Sequence, residues 1–301
     1  MLLSICIATY NRHQYIEETL RSILSQDTSN AEILILDSSE GFDTALIIDK
    51  INSPIIRYIK NNQNGGLDQD FDKCVRLAEG EFCWLFSDDD IFLPNSLSGV
   101  KNILNDQTDL VIVNSEVRDK NLHRALTKKQ VQIDQDKKYE HLEAFFLDCG
   151  KYLSFIGCVI IRKERWVSRN TSNYYGSNFI HVGVIFESEF PNSIIFLNKP
   201  MIALRYGNGF WIASGFEVWN VTWPTLIHSL QFKKNIKSQI APEFPFKDLK
   251  NLIYYRSIGA FGKKEYLKFI RKNSFNLKAF LISYTPLSII HFVSVIFIKF
   301  F

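Results

Sequence analysis

The segment Ala78–Pro94, AEGEFCWLFSDDDIFLP, joins two patterns that constrain the rest of the chain. Glu81–Phe86 is an almost unbroken apolar run, as expected of a strand covered on both faces. It stops at Ser87 and three consecutive aspartates, Asp88, Asp89 and Asp90. Carboxylate oxygens are hard ligands, suited to Mg2+ or Mn2+ together with substrate phosphates. Neighbouring like charges also disfavour one another's ionisation, which a bound cation relieves. The competing reading is a helix start, where Asp in the first turn and a nearby Pro94 are ordinary capping chemistry.

The same alternation runs outward from this segment. Leu2–Ala8 and Glu32–Asp37 are further buried-strand patterns, and Ile55–Ile59 is a third. Tyr15–Gln26 places Ile16, Leu20, Ile23 and Leu24 at helical spacing, with Glu17 and Glu18 early in the helix. Thr44–Ile51 predicts a short helix, and the turn cluster Asn61–Gly66 opens another over Leu67–Ala78. Downstream come a helix around Leu97–Leu104 and strands over Asp109–Asn114 and Phe155–Arg162. A polar, lysine-rich crossover spans 118–140, and Ser193–Leu204 reads as two extended segments broken by Pro200. Strands alternating with helices predict an α/β fold, a Rossmann-like, doubly wound, mostly parallel sheet. Ligands of such sheets sit at the carboxyl ends of the strands, where Thr9–Arg12, Asp37 and Asp88–Asp90 fall.

At 301 residues the chain can bury a large core, and its 46% hydrophobic content excludes wholesale disorder. Five cysteines without a C-x-x-C pair suit buried free thiols in a reducing compartment better than disulfides or zinc. The apolar start is too short for a signal peptide and lacks a basic flank, so it reads as a first strand of a cytosolic body. Net charge is only +3, but residues 231–301 carry 13 Lys/Arg against three acids, a net +10, leaving −7 on residues 1–230. This predicts an acidic α/β domain over 1–230 and a basic, aromatic helical region over 231–301. That region ends in Ala279–Ile298, a run free of Asp, Glu, Lys and Arg and divided by Pro286. Interfacial helices on an anionic leaflet are expected, ahead of a single spanning helix or a buried C-terminal helix. Nucleic acid is not an expected partner, because bulky apolar residues interleave the basic ones.

Four motifs, S-I-C-I-A-T-Y-N-R, E-I-L-I-L-D-S-S, N-x-N-G-G-L and the aspartate segment, occur in one order over about the first hundred residues. Together they resemble the nucleotide-sugar-dependent glycosyltransferases of family 2, with the GT-A fold, and within them the bacterial O-antigen branch that includes abequosyltransferases. The resemblance implies that Thr9, Tyr10, Asn11 and Arg12 line a nucleotide pocket with Gly66. It implies that Asp37 meets the base or ribose, Asp88 the ribose side, and Asp89 with Asp90 a divalent cation, Mg2+ or Mn2+. Without it, Asp37 would read as a turn-forming residue and Arg12 as a solvated helix start. Two departures stand out. Ser87 replaces the first aspartate of the family's motif, and Asp37-Ser38-Ser39-Glu40 replaces its second-strand pattern, leaving the donor base open.

The family's general base, an acid opening a later helix, has no counterpart here. His181 holds roughly that place, with Glu187 and Glu189 as further candidates; a structural histidine is the alternative. Arg205 would meet the diphosphate or form an ion pair, and Trp211 and Trp219 would form a sugar platform or pack in a core. The resulting expectation is a metal-assisted, inverting transfer from a nucleotide-sugar donor to a lipid-linked saccharide acceptor. It would take place at the cytoplasmic face of the bacterial inner membrane, on a protein bound peripherally or monotopically to the membrane surface. The alternatives are a nucleotidyltransferase, which the first loop disfavours by lacking a Gly-rich phosphate cradle, and an inactive membrane-bound scaffold.

Overall fold

The computed structural model describes residues 1–208, 214–272 and 275–290. The chain divides into two compact units, Met1–Asn208 and Gly209–Phe301. The boundary therefore falls about twenty residues before the one expected at 230. Phe216 explains the shift: it is fully buried in the second unit's core, 4.5 Å from the Phe261 ring.

The first unit is mixed α/β. Its strands are β1 (Leu3–Thr9), β2 (Ala31–Asp37), β3 (Ile56–Lys60), β4 (Phe82–Phe86), β5 (Ile91–Phe92), β6 (Thr108–Arg118), β7 (Ala125–Thr127), β8 (Lys137–Tyr139), β9 (Val159–Arg162) and β10 (Ser193–Arg205). Their order in the sheet is β3-β2-β1-β4-β9-β6-β10-β5, with β7 on β6 and β8 on β10. Strands β3, β2, β1 and β4 are parallel, as are β6 and β10, whereas β9 runs antiparallel between β4 and β6. Strands β1, β2 and β4 are buried almost throughout, which is why they appear as continuous apolar runs. The chain leaves β1 toward β2 on one side and returns as β4 on the other. That order reversal opens a crevice at the carboxyl ends of β1 and β4.

Three helices shape this end of the sheet: α1 (His13–Leu24), α2 (Asp43–Ile51) and α3 (Leu67–Leu77). Helix α1 buries Ile16, Thr19, Leu20 and Ile23, and starts two residues earlier than its apolar spacing suggests. The aspartates themselves open no helix: the next one, Ser96–Lys101, starts only beyond Pro94. Instead, β5 pairs with β10, and the Phe92 ring packs 4.3 Å from Trp84 and 4.6 Å from Phe86. Such aromatic pairs contribute about 0.5–1.5 kcal/mol each, enough to anchor the short aspartate loop between β4 and β5.

Ser193–Arg205 is one strand, not two. Its pairing with β6 shifts register on either side of Pro200, so the proline sits at an irregularity and not at a chain break. The 118–140 region is also not a plain crossover, because β7 and β8 add short pairings to β6 and β10. All five cysteines are free and buried.

The second unit is helical, with helices over Trp223–Ser229, Lys234–Ile240, Leu249–Ser257 and Leu277–Tyr284. Its core gathers Phe216, Leu252, Phe261, Tyr266, Ile270 and Ala279. Helix Leu277–Tyr284 ends before Pro286, as expected, and leaves Leu277, Leu281 and Tyr284 exposed one turn apart. Among the described residues, no helix is long and apolar enough to cross a membrane. The part of the Ala279–Ile298 run beyond Ile290 lies outside the described residues, as does Trp211. Trp219 belongs to the second unit, where its ring meets that of Trp223 at 6.4 Å.

Candidate active site

Parallel pairing sets Ile7 beside Phe86, so the chain two residues further on brings Thr9 against Asp88. The Thr9 hydroxyl donates to Asp88 Oδ2 at 2.6 Å, and Arg12 Nε donates to Asp88 Oδ1 at 2.8 Å. Arg12 Nη2 and Asn208 Nδ2 both donate to Asp89 Oδ2. Asp90 accepts the Arg205 backbone N–H at 2.7 Å on Oδ1 and the Ser87 hydroxyl on Oδ2. Below them, Thr19 Oγ1 lies 3.0 Å and 2.8 Å from the carbonyls of Asp88 and Asp90.

Arg205 is fixed at three points: it donates to the Asp89 carbonyl at 2.8 Å, the Lys120 carbonyl at 2.6 Å and Glu18 Oε2 at 2.5 Å. Its guanidinium lies 5.1 Å from the Tyr15 ring centre, and that of Arg12 lies 5.0 Å from the same ring. Two cations thus share one aromatic ring beside three carboxylates.

Burial, and then the neighbouring Asp89, push the Asp88 carboxyl up to about 6, against the pull of Arg12. Asp90 is raised for the same two reasons in the same order. Burial weakens the Arg12 charge, but Asp88 and Asp89 outweigh it and hold the guanidinium above its ordinary value. A buried acidic cluster balanced by resident arginines is an electrostatic setting for an anionic ligand that brings its own cation.

A cleft of about 340 Å³ adjoins the ends of β2 and β3, lined by Tyr10, Ser39, Glu40, Phe42, Lys60 and Asn61 among others. Asn11 takes a left-handed conformation (φ 54°), its N–H donating to Ser39 Oγ at 2.8 Å. Gly66 also has positive φ (81°) and precedes α3, where a side chain would strain the turn. Asp37, at the end of β2, is fully buried and accepts from the Ser39 N–H at 2.9 Å, Tyr58 Oη at 2.8 Å and Lys60 Nζ at 3.4 Å. Burial alone would raise its carboxyl, but the donors led by Ser39 hold it below its ordinary value. The turn-forming geometry of Asp37 is therefore present, and its oxygens are engaged within the protein.

Residues 4–168, just over half of the chain, match the family model described as glycosyl transferase family 2. The chain belongs to that family. It is a nucleotide-sugar-dependent glycosyltransferase. Abequosyltransferase RfbV of Salmonella typhimurium is 31% identical to it over 226 residues, 69% of this chain and 68% of that one. A "GalNAc(5)-diNAcBac-PP-undecaprenol beta-1,3-glucosyltransferase" of Campylobacter jejuni is 27% identical over 188 residues, 58% of this chain and 56% of that one. Among solved structures, S. aureus TarS 1-349 in complex with UDP aligns with a TM-score of 0.57 at 14% identity. That alignment covers 86% of this chain and 81% of that one, a likeness of fold.

Among the described residues, none of the candidate bases makes a hydrogen bond or ion pair with the aspartate cluster of this glycosyltransferase. His181, in helix Ile180–Phe186, is 1% exposed, with Nε2 2.6 Å from the Leu153 carbonyl. Burial lowers its pKa to about 4, and the Leu153 contact offsets this only in part. A neutral imidazole packed in this way fits the structural histidine of the alternative reading. Glu187 and Glu189 precede β10, which starts beside Thr108, while Arg205 ends that strand beside Arg118. Roughly 40 Å of extended chain separates them from the aspartates. Glu187 Oε1 instead accepts the Asn170 N–H at 3.0 Å.

Among the described residues, no group of three or more His, Cys, Asp and Glu side chains converges as a metal cage. Both Asp90 oxygens are taken by Ser87 and Arg205. Asp89 keeps Oδ1 without a hydrogen bond among the described residues, which fits a cation held by one carboxylate plus phosphate oxygens and water. Four contributors escaped the sequence reading: Tyr15, Thr19, Glu18 and Asn208. Of these only Asn208, directly after the Arg205-Tyr206-Gly207 turn, had a positional signal.

Proposed function

We propose that this glycosyltransferase transfers one sugar, deoxysugars included, from a nucleoside diphosphate onto a lipid-linked saccharide in bacterial surface-polysaccharide synthesis. The observation that carries this reading is the cluster at the β1–β4 crevice. There Thr9, Arg12 and Asp88 interlock, and Arg205 is fixed beside a carboxylate with one open oxygen. The printed names of the relatives support it, since one is an abequosyltransferase and another acts on a diphospho-undecaprenol saccharide.

In this reading the cleft at Tyr10, Ser39 and Lys60 takes the nucleoside, and the guanidinium groups of Arg12 and Arg205 meet the diphosphate. Asp89 would hold Mg2+ or Mn2+, which when bound neutralises the charge that builds on the leaving diphosphate. Asp90 acts through position, tying the aspartate loop to the Arg205 backbone. Thr9 keeps Asp88 oriented beneath it. The inverting outcome rests on the family resemblance.

The second unit supports a peripheral membrane attachment. Leu277, Leu281 and Tyr284 present an exposed apolar stripe on a region of net +10, and each lysine near an anionic surface contributes roughly 1 kcal/mol. A screen of nucleotide sugars against membranes carrying lipid-linked acceptors tests the whole reading. Label should reach the lipid fraction with one donor class and vanish in Asp89→Asn. No transfer from any donor would sink it.

A further inference from the structure

Arg205 and Arg12 flank the same tyrosine ring but are held very differently. The Arg205 fork ends on two backbone carbonyls and the Glu18 carboxylate, and its side chain is only 5% exposed. Among the described residues, the Arg12 side chain hydrogen-bonds only to the carboxylates of Asp88 and Asp89. It caps α1 from outside, next to the left-handed Asn11, and its side chain remains 16% exposed. Among the described residues, Asp89 is also the one aspartate of the three whose oxygens are not both hydrogen-bonded.

The geometry points to Arg12 as a resident cation that occupies Asp89 until the donor diphosphate draws it away, so that metal and donor enter together. This inference rests on the proposed metal-assisted reading. A guanidinium and a divalent ion compete for one carboxylate, since each lowers the charge that attracts the other. The diphosphate is the stronger partner for the arginine fork, because it offers paired oxygens at higher charge density. Moving the fork onto it frees Asp89 and places the cation beside the same phosphates. By reciprocity, the donor raises metal affinity by the same factor as metal raises donor affinity.

The test is Mn2+ binding to the full chain, followed by the loss of the free-ion paramagnetic resonance signal. Nucleoside diphosphate binding with and without Mn2+ is measured in parallel. Bare Mn2+ should bind Arg12→Gln about tenfold more tightly than wild type, as expected when an opposing charge is removed within a few ångströms. Asn208→Ala removes a neutral donor from the same oxygen and should change affinity by less than about threefold. Adding Asp89→Asn to Arg12→Gln should abolish the gain. If Arg12→Gln does not fold, Arg12→Lys carries the test. Its compact ammonium keeps the charge but not the planar fork that spans Asp88 Oδ1 and Asp89 Oδ2, so an intermediate gain is expected, and no gain overturns the proposal.

Metal-dependent nucleotide binding by wild type, with no gain in Arg12→Gln, overturns this inference while leaving the metal reading intact. An equal gain in Asn208→Ala, or a gain that survives Asp89→Asn, overturns it as well. Nucleotide binding independent of Mn2+ in every variant, with no Mn2+ bound, overturns both.

Discussion

The Thr9 hydroxyl stands 2.6 Å from Asp88 Oδ2, linking the ends of two parallel strands 79 residues apart in sequence. This bond orients the carboxylate on which Arg12 Nε also rests. Thr9→Val keeps the shape but leaves a buried acceptor without its donor, at a cost of roughly 1–3 kcal/mol. Urea denaturation should show that loss, and nucleoside diphosphate binding should weaken with it. Unchanged stability would mean that Asp88 is oriented by Arg12 alone.

Arg205 tests the difference between charge and shape. Arg205→Lys preserves the charge but cannot reach Asp89, Lys120 and Glu18 together. Transfer should fall about a hundredfold, the scale of losing an oriented electrostatic contact, with lysine and glutamine variants behaving alike. Near-normal transfer in the lysine variant would reduce Arg205 to a point charge.

His181 makes a pH prediction with a definite sign. Its pKa is depressed in the folded protein to about 4, below the roughly 6.5 of an unfolded chain. The folded state therefore binds fewer protons, and the stabilising contribution is complete above pH ~6.5 and lost as pH falls toward ~4, on the order of 3 kcal/mol. Urea midpoints between pH 7 and 4.5 should fall in wild type and fall less in His181→Gln. Turnover near neutral pH should not report titration of His181, and an assigned His181 imidazole signal titrating near pH 6.5 would contradict the burial.

Asp68 supports the helix that contains His181. Its carboxylate accepts the N–H groups of Asn178 at 2.8 Å and Ile180 at 3.0 Å. Asp68→Ala should cost about 1–3 kcal/mol and speed proteolysis around residues 170–180, whereas Asp68→Asn, which keeps one acceptor, should cost less.

The apolar stripe of the second unit gives a separable readout. Leu277→Asp with Leu281→Asp should release the protein from vesicles of anionic phospholipid and leave soluble nucleotide binding unchanged. Retention on vesicles at physiological salt would refute attachment through this face.

Much of the fold was legible because doubly covered strands are largely apolar, and β1, β2 and β4 carry that signature with only Ser4 and Glu32 as polar positions before their ends. The aspartates could be placed for the same reason, each sitting just past a strand whose end is plain. Less visible were features fixed by distant partners. Pro200 reads as a break, yet β10 is continuous because β6 pairs with it on both sides of the irregularity. The helix start of α1 was misplaced because its first residues are polar and only its second turn reaches the core. The burial of His181 depends on a carbonyl 28 residues earlier, at Leu153, and no local pattern encodes that contact.

The family match ends at residue 168, yet Asp90 is completed only by the backbone of Arg205, and Asp89 by Asn208. A nascent chain that has emerged only as far as the family boundary would carry the acidic loop without its late partners. Assembly of the proposed donor site is thus coupled to completion of the first unit, and nucleotide is expected to bind the finished fold rather than its folding intermediates. Any shortened version of this enzyme should accordingly retain the chain through residue 208, whatever boundary sequence similarity suggests.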